Sequence, residues 1–216
     1  MAEVNDTGLR IKEKAHTLFM QYGLRSVSMD DIATSLGISK KTIYHFYADK
    51  DALVDDVIAT ELLNDECICE RDKQAAENAI HEIFLAIDFI VEMFKGMNPT
   101  VFFDMQKYYP KSYVRFAKHK DEFLYNLVRK NLVAGVKEGL YRPELKIDIL
   151  ARFRVEAIML PFNPNFYGKL KENLGVIEEE ITLHFLHGLL TPKGYKLAQK
   201  YQAKRIKSKT NETIKN

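Results

Sequence analysis

Lys40, Lys41, Thr42, Tyr44 and His45 crowd one short stretch, and Lys50 follows close behind. Two ammonium groups, a hydroxyl, a phenol and an imidazole suit phosphate oxygens and the base edges of a major groove. Ile43 and Tyr47 suffice to anchor a helix over 40–47, so these polar side chains are not needed for its core. Lys50 falls in the first turn of the next helix, after a capping Asp49. A lysine there does little for its own helix dipole. A phosphate nearby would suit both the lysine and the helix end. With Ser28, these six residues are the candidate nucleic-acid contacts.

Such groups need a rigid mount, and residues 28–50 supply one. Ser28 with Asp31 reads as a capping-box pair opening a helix. Ile32, Ala33 and Leu36 form its narrow apolar stripe, and Gly37 suits the left-handed position that ends it. Ser39 can cap the second helix, with Ile38 and Ile43 spaced for a hydrophobic staple. Small Ala33 lets the two helices cross closely. This is a helix-turn-helix pattern. A helical hairpin with a solvated basic face would show the same spacing.

The stretch from Thr7 to Leu53 resembles the N-terminal domain of the tetracycline-repressor (TetR) family of transcriptional regulators. The resemblance rests on Ile11, Ala15, Leu18, Phe19 and Tyr22-Gly23. It continues through Ser28-Met29-Asp30-Asp31-Ile32-Ala33, Leu36-Gly37-Ile38-Ser39, and Thr42 to Tyr47 followed by Lys50 and Leu53. Two positions depart from the family pattern. Lys41 stands where glycine is frequent, and Phe46-Tyr47 replaces a polar aromatic followed by Phe. Phe46 cannot donate the phosphate hydrogen bond that position often gives. The resemblance implies a transcriptional regulator, a repressor in this reading, with a ligand pocket somewhere in the body. Its double-stranded DNA operator would be palindromic if the protein is a two-fold homodimer.

The chain of 216 residues carries a formal net charge of only +2, so DNA binding must come from local charge. Periodicity is helical throughout and no strand-length alternation occurs, so the expected fold is all-α. A three-helix head over 1–56 would carry the helix-turn-helix. A ligand-binding and dimerisation body would occupy 57–203, and a basic tail over 204–216 would be disordered. Acidic residues after Lys50 (Asp55, Asp56, Glu61, Asp65, Glu66) confine DNA contact to the head. In the body, helices are expected over 80–94, 100–109, 111–138, 147–160 and 176–190, with a short last one opened by Thr191-Pro192. No start resembling a secretory signal and no span long enough for a bilayer is seen, so a cytoplasmic protein without membrane contact is expected.

No phosphate loop, nucleophile elbow or HExxH motif appears, so no enzyme and no cofactor are expected. Cys67 and Cys69, two apart on a helix, point to opposite sides and read as free thiols. His184 and His187 share a helix face, but no partner carboxylate is identifiable. One histidine packed and one wet is the expectation, with no metal. Aromatic density suggests a pocket for a small, largely apolar effector. Phe84, Phe102, Met105, Tyr109, Phe116, Phe123, Met159 and Phe162 would line it, and Asp88, His119 or Glu156 would orient the ligand. Helix 176–190 is apolar on two sides and so needs a partner outside its own subunit. Phe185, Gly188 and Leu189 are the candidate dimer residues, with Gly188 permitting a close crossing. A ligand-independent architectural DNA-binding protein is the alternative.

Overall fold

The computed structural model describes residues 2–215, and every regular element among them is helical. The head is built from three helices: α1 (Ala2–Tyr22), α2 (Met29–Leu36) and α3 (Lys40–Phe46). Ile11, Ala15 and Phe19 of α1 meet Ile32 of α2 and Ile43 of α3, all buried. Helix α4 (Lys50–Ala75) runs unbroken from head to body, so the boundary expected at 56/57 falls inside one helix. Its Leu53, Val54 and Val57 complete the head's core, which also takes in Val101, Met105 and Tyr109 from the body.

The body follows as α5 (Ala79–Phe94), α6 (Val101–Tyr108), α7 (Pro110–Lys118), α8 (Tyr125–Lys137) and α9 (Ile147–Ala157). A 3-10 turn (Leu160–Phe162) and the short α10 (Pro164–Tyr167) lead to α11 (Leu174–Leu189) and α12 (Pro192–Lys215). Helix α5 packs along α11, and α8 along α9. The expected helix over 111–138 is continuous but not regular. Residues His119–Leu124 form a π-helical segment between α7 and α8. No named strand occurs among the described residues; one isolated bridge joins Tyr141 and Leu190.

Two expectations at the chain end are corrected. The last helix is long rather than short, and it continues through the basic residues expected to be disordered. Contacts with the body hold it there. Tyr201 stacks on His81, and its hydroxyl donates to Glu77. Arg205 pairs with both Asp88 and Glu179. Those ion pairs offset the chain entropy that a free polar tail would keep.

Gly135 fixes how α8 meets the turn after it. A Cβ there would sit 2.1 Å from the Tyr141 ring. That ring cannot retreat easily, since its hydroxyl donates within 3.2 Å of Ala79 O and 3.1 Å of Asn131 Oδ1. Gly135→Ala is therefore expected to destabilise the protein by about 1–3 kcal/mol through overpacking. Urea unfolding measures it; an unchanged midpoint would show that the ring yields.

Candidate nucleic-acid interface and cavity

Local hydrogen bonds set α2 and α3. Ser28 Oγ accepts from Asp31 N–H at 3.2 Å, and Ser28 N–H donates to Asp31 Oδ2 at 2.8 Å, closing the capping box. The Ser28 hydroxyl, donating to Asp31 Oδ2 at 2.7 Å, and then the Ser28 N–H hold the Asp31 carboxyl below its ordinary range. Gly37, at φ +66°, ends α2, and Ile38 N–H reaches back to Ala33 O at 3.0 Å. Ser39 then caps α3 by accepting from Thr42 N–H at 3.1 Å. The capping Ser28 is thus a positioning residue, and the Thr42 hydroxyl is engaged with Ser39 Oγ at 2.9 Å.

What remains outward on α3 is Lys41, Tyr44 and His45, all exposed. Lys40 is also exposed, and its ammonium pairs with Asp30 at 2.7 Å. Phe46 is turned inward against the head core. Tyr47 donates its hydroxyl to Asp56 at 2.8 Å, which ties α3 to α4.

Lys50 sits differently from the expected phosphate contact. Its ammonium donates to Arg25 O at 3.3 Å and lies 5.7 Å from the centre of the Phe19 ring and 5.8 Å from that of Tyr109. Half-burial lowers its pKa from the ordinary lysine value. The carbonyl and ring faces receive the cation that α4's own positive end disfavours.

The loop before α2 is also held by the body, a connection that sequence alone does not display. Asp104 of α6 accepts from Arg25 N–H at 2.9 Å. Tyr108 accepts from the Arg25 guanidinium at 2.7 Å, and the Tyr109 hydroxyl donates to Leu24 O at 3.3 Å. The opposite side of α6 faces a cavity.

That cavity has a volume of about 210 Å³ and lies between α4, α5, α6, the α7–α8 helix, α9 and α11. It brings together Phe102, Met105, Phe116, His119 and Met159 from the expected set. Phe162, also expected, lines it too, while Phe89, Phe94, Met93, Met97 and Arg154 were not anticipated. The other expected residues lie elsewhere. Phe84 is buried in a separate core beside Tyr201. Asp88 is taken by Arg205, and Tyr109 belongs to the head core. Glu156 is an exposed partner of Lys120 at 2.8 Å. Phe123 stacks on His119 without lining the space. The π segment explains Phe123: its longer turn carries the inward face from His119 to Leu124.

The dimer candidates divide as well. Phe185 and Leu189 are buried within their own chain, whereas Gly188 is exposed with open space where a Cβ would stand. The outward face of α11 carries Val176, His184, His187 and Gly188, and that of α9 carries Ile149 and Phe153. Both histidines are exposed, which corrects the expectation that one is packed. No group of three metal-ligating side chains occurs among the described residues. Cys67 and Cys69 are free, and burial pushes the Cys69 thiol up to about 12. No helix of the described residues is long and apolar enough to cross a membrane.

Residues 11–57 match the model of the bacterial regulatory proteins of the tetR family. The head is that of a TetR-family regulator. The transcriptional repressor KstR2 of Mycobacterium tuberculosis is 24% identical over 160 residues, covering 70% of this chain and 77% of that protein. The solved structure of that ketosteroid transcriptional regulator superposes with a TM-score of 0.59 at 17% identity, covering 86% of this chain and 95% of the other. A TetR-family regulator from Agrobacterium tumefaciens superposes with a TM-score of 0.74 at 14% identity, covering 87% and 100%. These structural likenesses concern the fold. The TetR-family head makes this chain a DNA-binding transcriptional regulator, with α2 and α3 as its helix-turn-helix. Its relatives are regulators rather than enzymes.

Proposed function

We propose that the protein is a dimeric repressor that reads a palindromic operator with α3 and leaves it when a small, largely apolar molecule fills the cavity. The observation that carries this reading is the double role of α6. Val101, Phe102 and Met105 face the cavity or the head core, while Asp104, Tyr108 and Tyr109 hold the loop just before α2. A ligand that favours one placement of α6 therefore biases the head, which is what coupling between two sites requires. Lys41, Tyr44 and His45 are the base-reading set, with Lys40 and Thr42 beside them. Ser28 and Lys50 serve mainly to position the loop and α2. The repressor assignment also draws on the name of the KstR2 relative.

Fluorescence anisotropy on a selected DNA site, titrated with a library of apolar and polar small molecules, tests the reading. Release by apolar compounds is expected. Release by none, or only by polar metabolites or metal ions, would favour a ligand-independent DNA-binding protein or a different pocket.

The dimer would form across the exposed apolar positions Ile149 and Phe153 of α9 and Val176 and Gly188 of α11. Gly188 has open space on its own chain, so a large side chain there leaves the subunit intact and obstructs only a close partner. Gly188→Trp is expected to weaken dimerisation about tenfold or more, from an overpacking cost of roughly 1–3 kcal/mol. Analytical ultracentrifugation reads this directly. A monomeric parent protein at micromolar concentration would refute the dimer.

A further inference from the structure

Most polar groups lining the cavity are already paired within the protein. Asn131 donates to Ala79 O and Glu82 and accepts from Tyr141. Thr182 accepts from Arg154 and donates to Glu178 O, and Glu61 pairs with His16. Two residues with buried side chains in this wall, His119 and Arg154, are not fully paired, and neither is Glu178 Oε2 beside Arg154.

The first is His119, whose side chain is only 5% exposed. Its Nδ1 meets Glu66 Oε1 at 3.0 Å. A carboxylate accepts, so Nδ1 carries the hydrogen and Nε2 presents a lone pair. Burial lowers the His119 pKa, which keeps the ring neutral. Nε2 has no hydrogen-bond partner among the described residues. The π segment that begins at His119 turns this residue into the cavity wall, and such segments recur at functional sites.

The second is Arg154, with a side chain 7% exposed. Its Nη2 donates to Glu178 Oε1 at 2.5 Å and Thr182 Oγ1 at 2.7 Å, while Nη1 has no partner. The buried Arg154 Nη1 donor is left unmet, which is costly, and the His119 Nε2 lone pair is unengaged in the wall of the same cavity, so each suits a complementary atom.

Charge narrows the class. Glu178 already neutralises Arg154. Where the cavity opens between α1, α4 and α5, it carries the carboxylates Glu61 and Asp65. Burial and the neighbouring Glu61 push the Asp65 carboxyl up to about 7. This surrounding disfavours an anion. The remaining wall, with Phe89, Phe94, Phe102, Phe162 and Met159, favours an apolar body.

We propose that the cavity takes an uncharged, hydroxyl-bearing apolar molecule. Its O–H donates to His119 Nε2, and a second oxygen of carbonyl or ether type accepts from Arg154 Nη1. The assignment rests on the reading of this cavity as the effector site.

The test uses the full-length protein and four probes: naphthalene, 2-naphthol, 6-hydroxy-2-naphthaldehyde and 2-naphthoate. Direct binding is measured by probe fluorescence, and DNA release by anisotropy on the same samples. The hydroxyl should improve affinity about tenfold over naphthalene, the added carbonyl should improve it further, and 2-naphthoate should bind weakest. His119→Phe should bring 2-naphthol down to the naphthalene level while leaving naphthalene binding intact, which also reports correct folding. His119→Gln, whose amide oxygen can accept, should restore part of the preference. Naphthalene binding as tightly as 2-naphthol, 2-naphthoate binding best, or no probe binding at all would overturn the proposal, with or without the variants. Preferential binding of 2-naphthol without DNA release would uphold the ligand class and defeat the effector reading instead.

Discussion

Replacing Glu178 by leucine is expected to destabilise the protein by about 3–5 kcal/mol, because it strands a buried guanidinium. Arg154 and Glu178 bridge α9 and α11, with side chains 7% and 1% exposed. Burial pushes the Glu178 carboxyl up from its ordinary value and the Arg154 charge pulls it back, so the pair is held by mutual need more than by net gain. With Glu178 gone, Thr182 is the one remaining hydrogen-bond partner of Arg154 among the described residues. The double replacement Arg154→Met with Glu178→Met removes both charges and should return stability close to the parent. Urea unfolding of the parent, the single and the double variant checks this. A single variant within about 0.5 kcal/mol of the parent would mean that water reaches Arg154.

The second large effect concerns DNA. Lys41→Ala and Tyr44→Ala should each cost roughly 1–3 kcal/mol on the preferred site and relax selectivity at particular positions. Both side chains stand exposed on α3. On random DNA the Lys41 variant should lose only the salt-dependent part, and Tyr44→Ala should lose little. Lys50→Ala should behave differently from a simple phosphate contact, since its ammonium holds Arg25 O beside the Phe19 and Tyr109 rings. Binding over a salt series on preferred and random DNA separates these roles. Equal losses for Lys41 and Tyr44 on both DNAs would make α3 an anchor, with base reading elsewhere.

The head was legible in the sequence because its determinants are local. Ser28 with Asp31, Gly37, and Ser39 with Thr42 act within a few residues, and each took the expected geometry. The body was legible as helices but not as a site. One cause is the π segment, whose irregular turn directs Leu124 rather than Phe123 into the cavity and carries no sequence periodicity of its own. A second is distance along the chain: Asp104 with Arg25, Arg154 with Glu178, and Arg205 with Asp88 and Glu179 are pairings of remote residues. The last of these turned an expected disordered tail into part of α12. On α11 the apolar stripe read as two-sided is largely buried inside one subunit, and the outward face is Val176, His184, His187 and Gly188.

A symmetric pair of α3 helices is expected to read a defined DNA sequence. Selection of bound fragments from a random double-stranded pool tests it most directly. Convergence is expected on one site with two-fold symmetry, its half-sites related as the two subunits of a dimer would be. A pool that fails to converge, or that converges on a single unrepeated half-site, would contradict it.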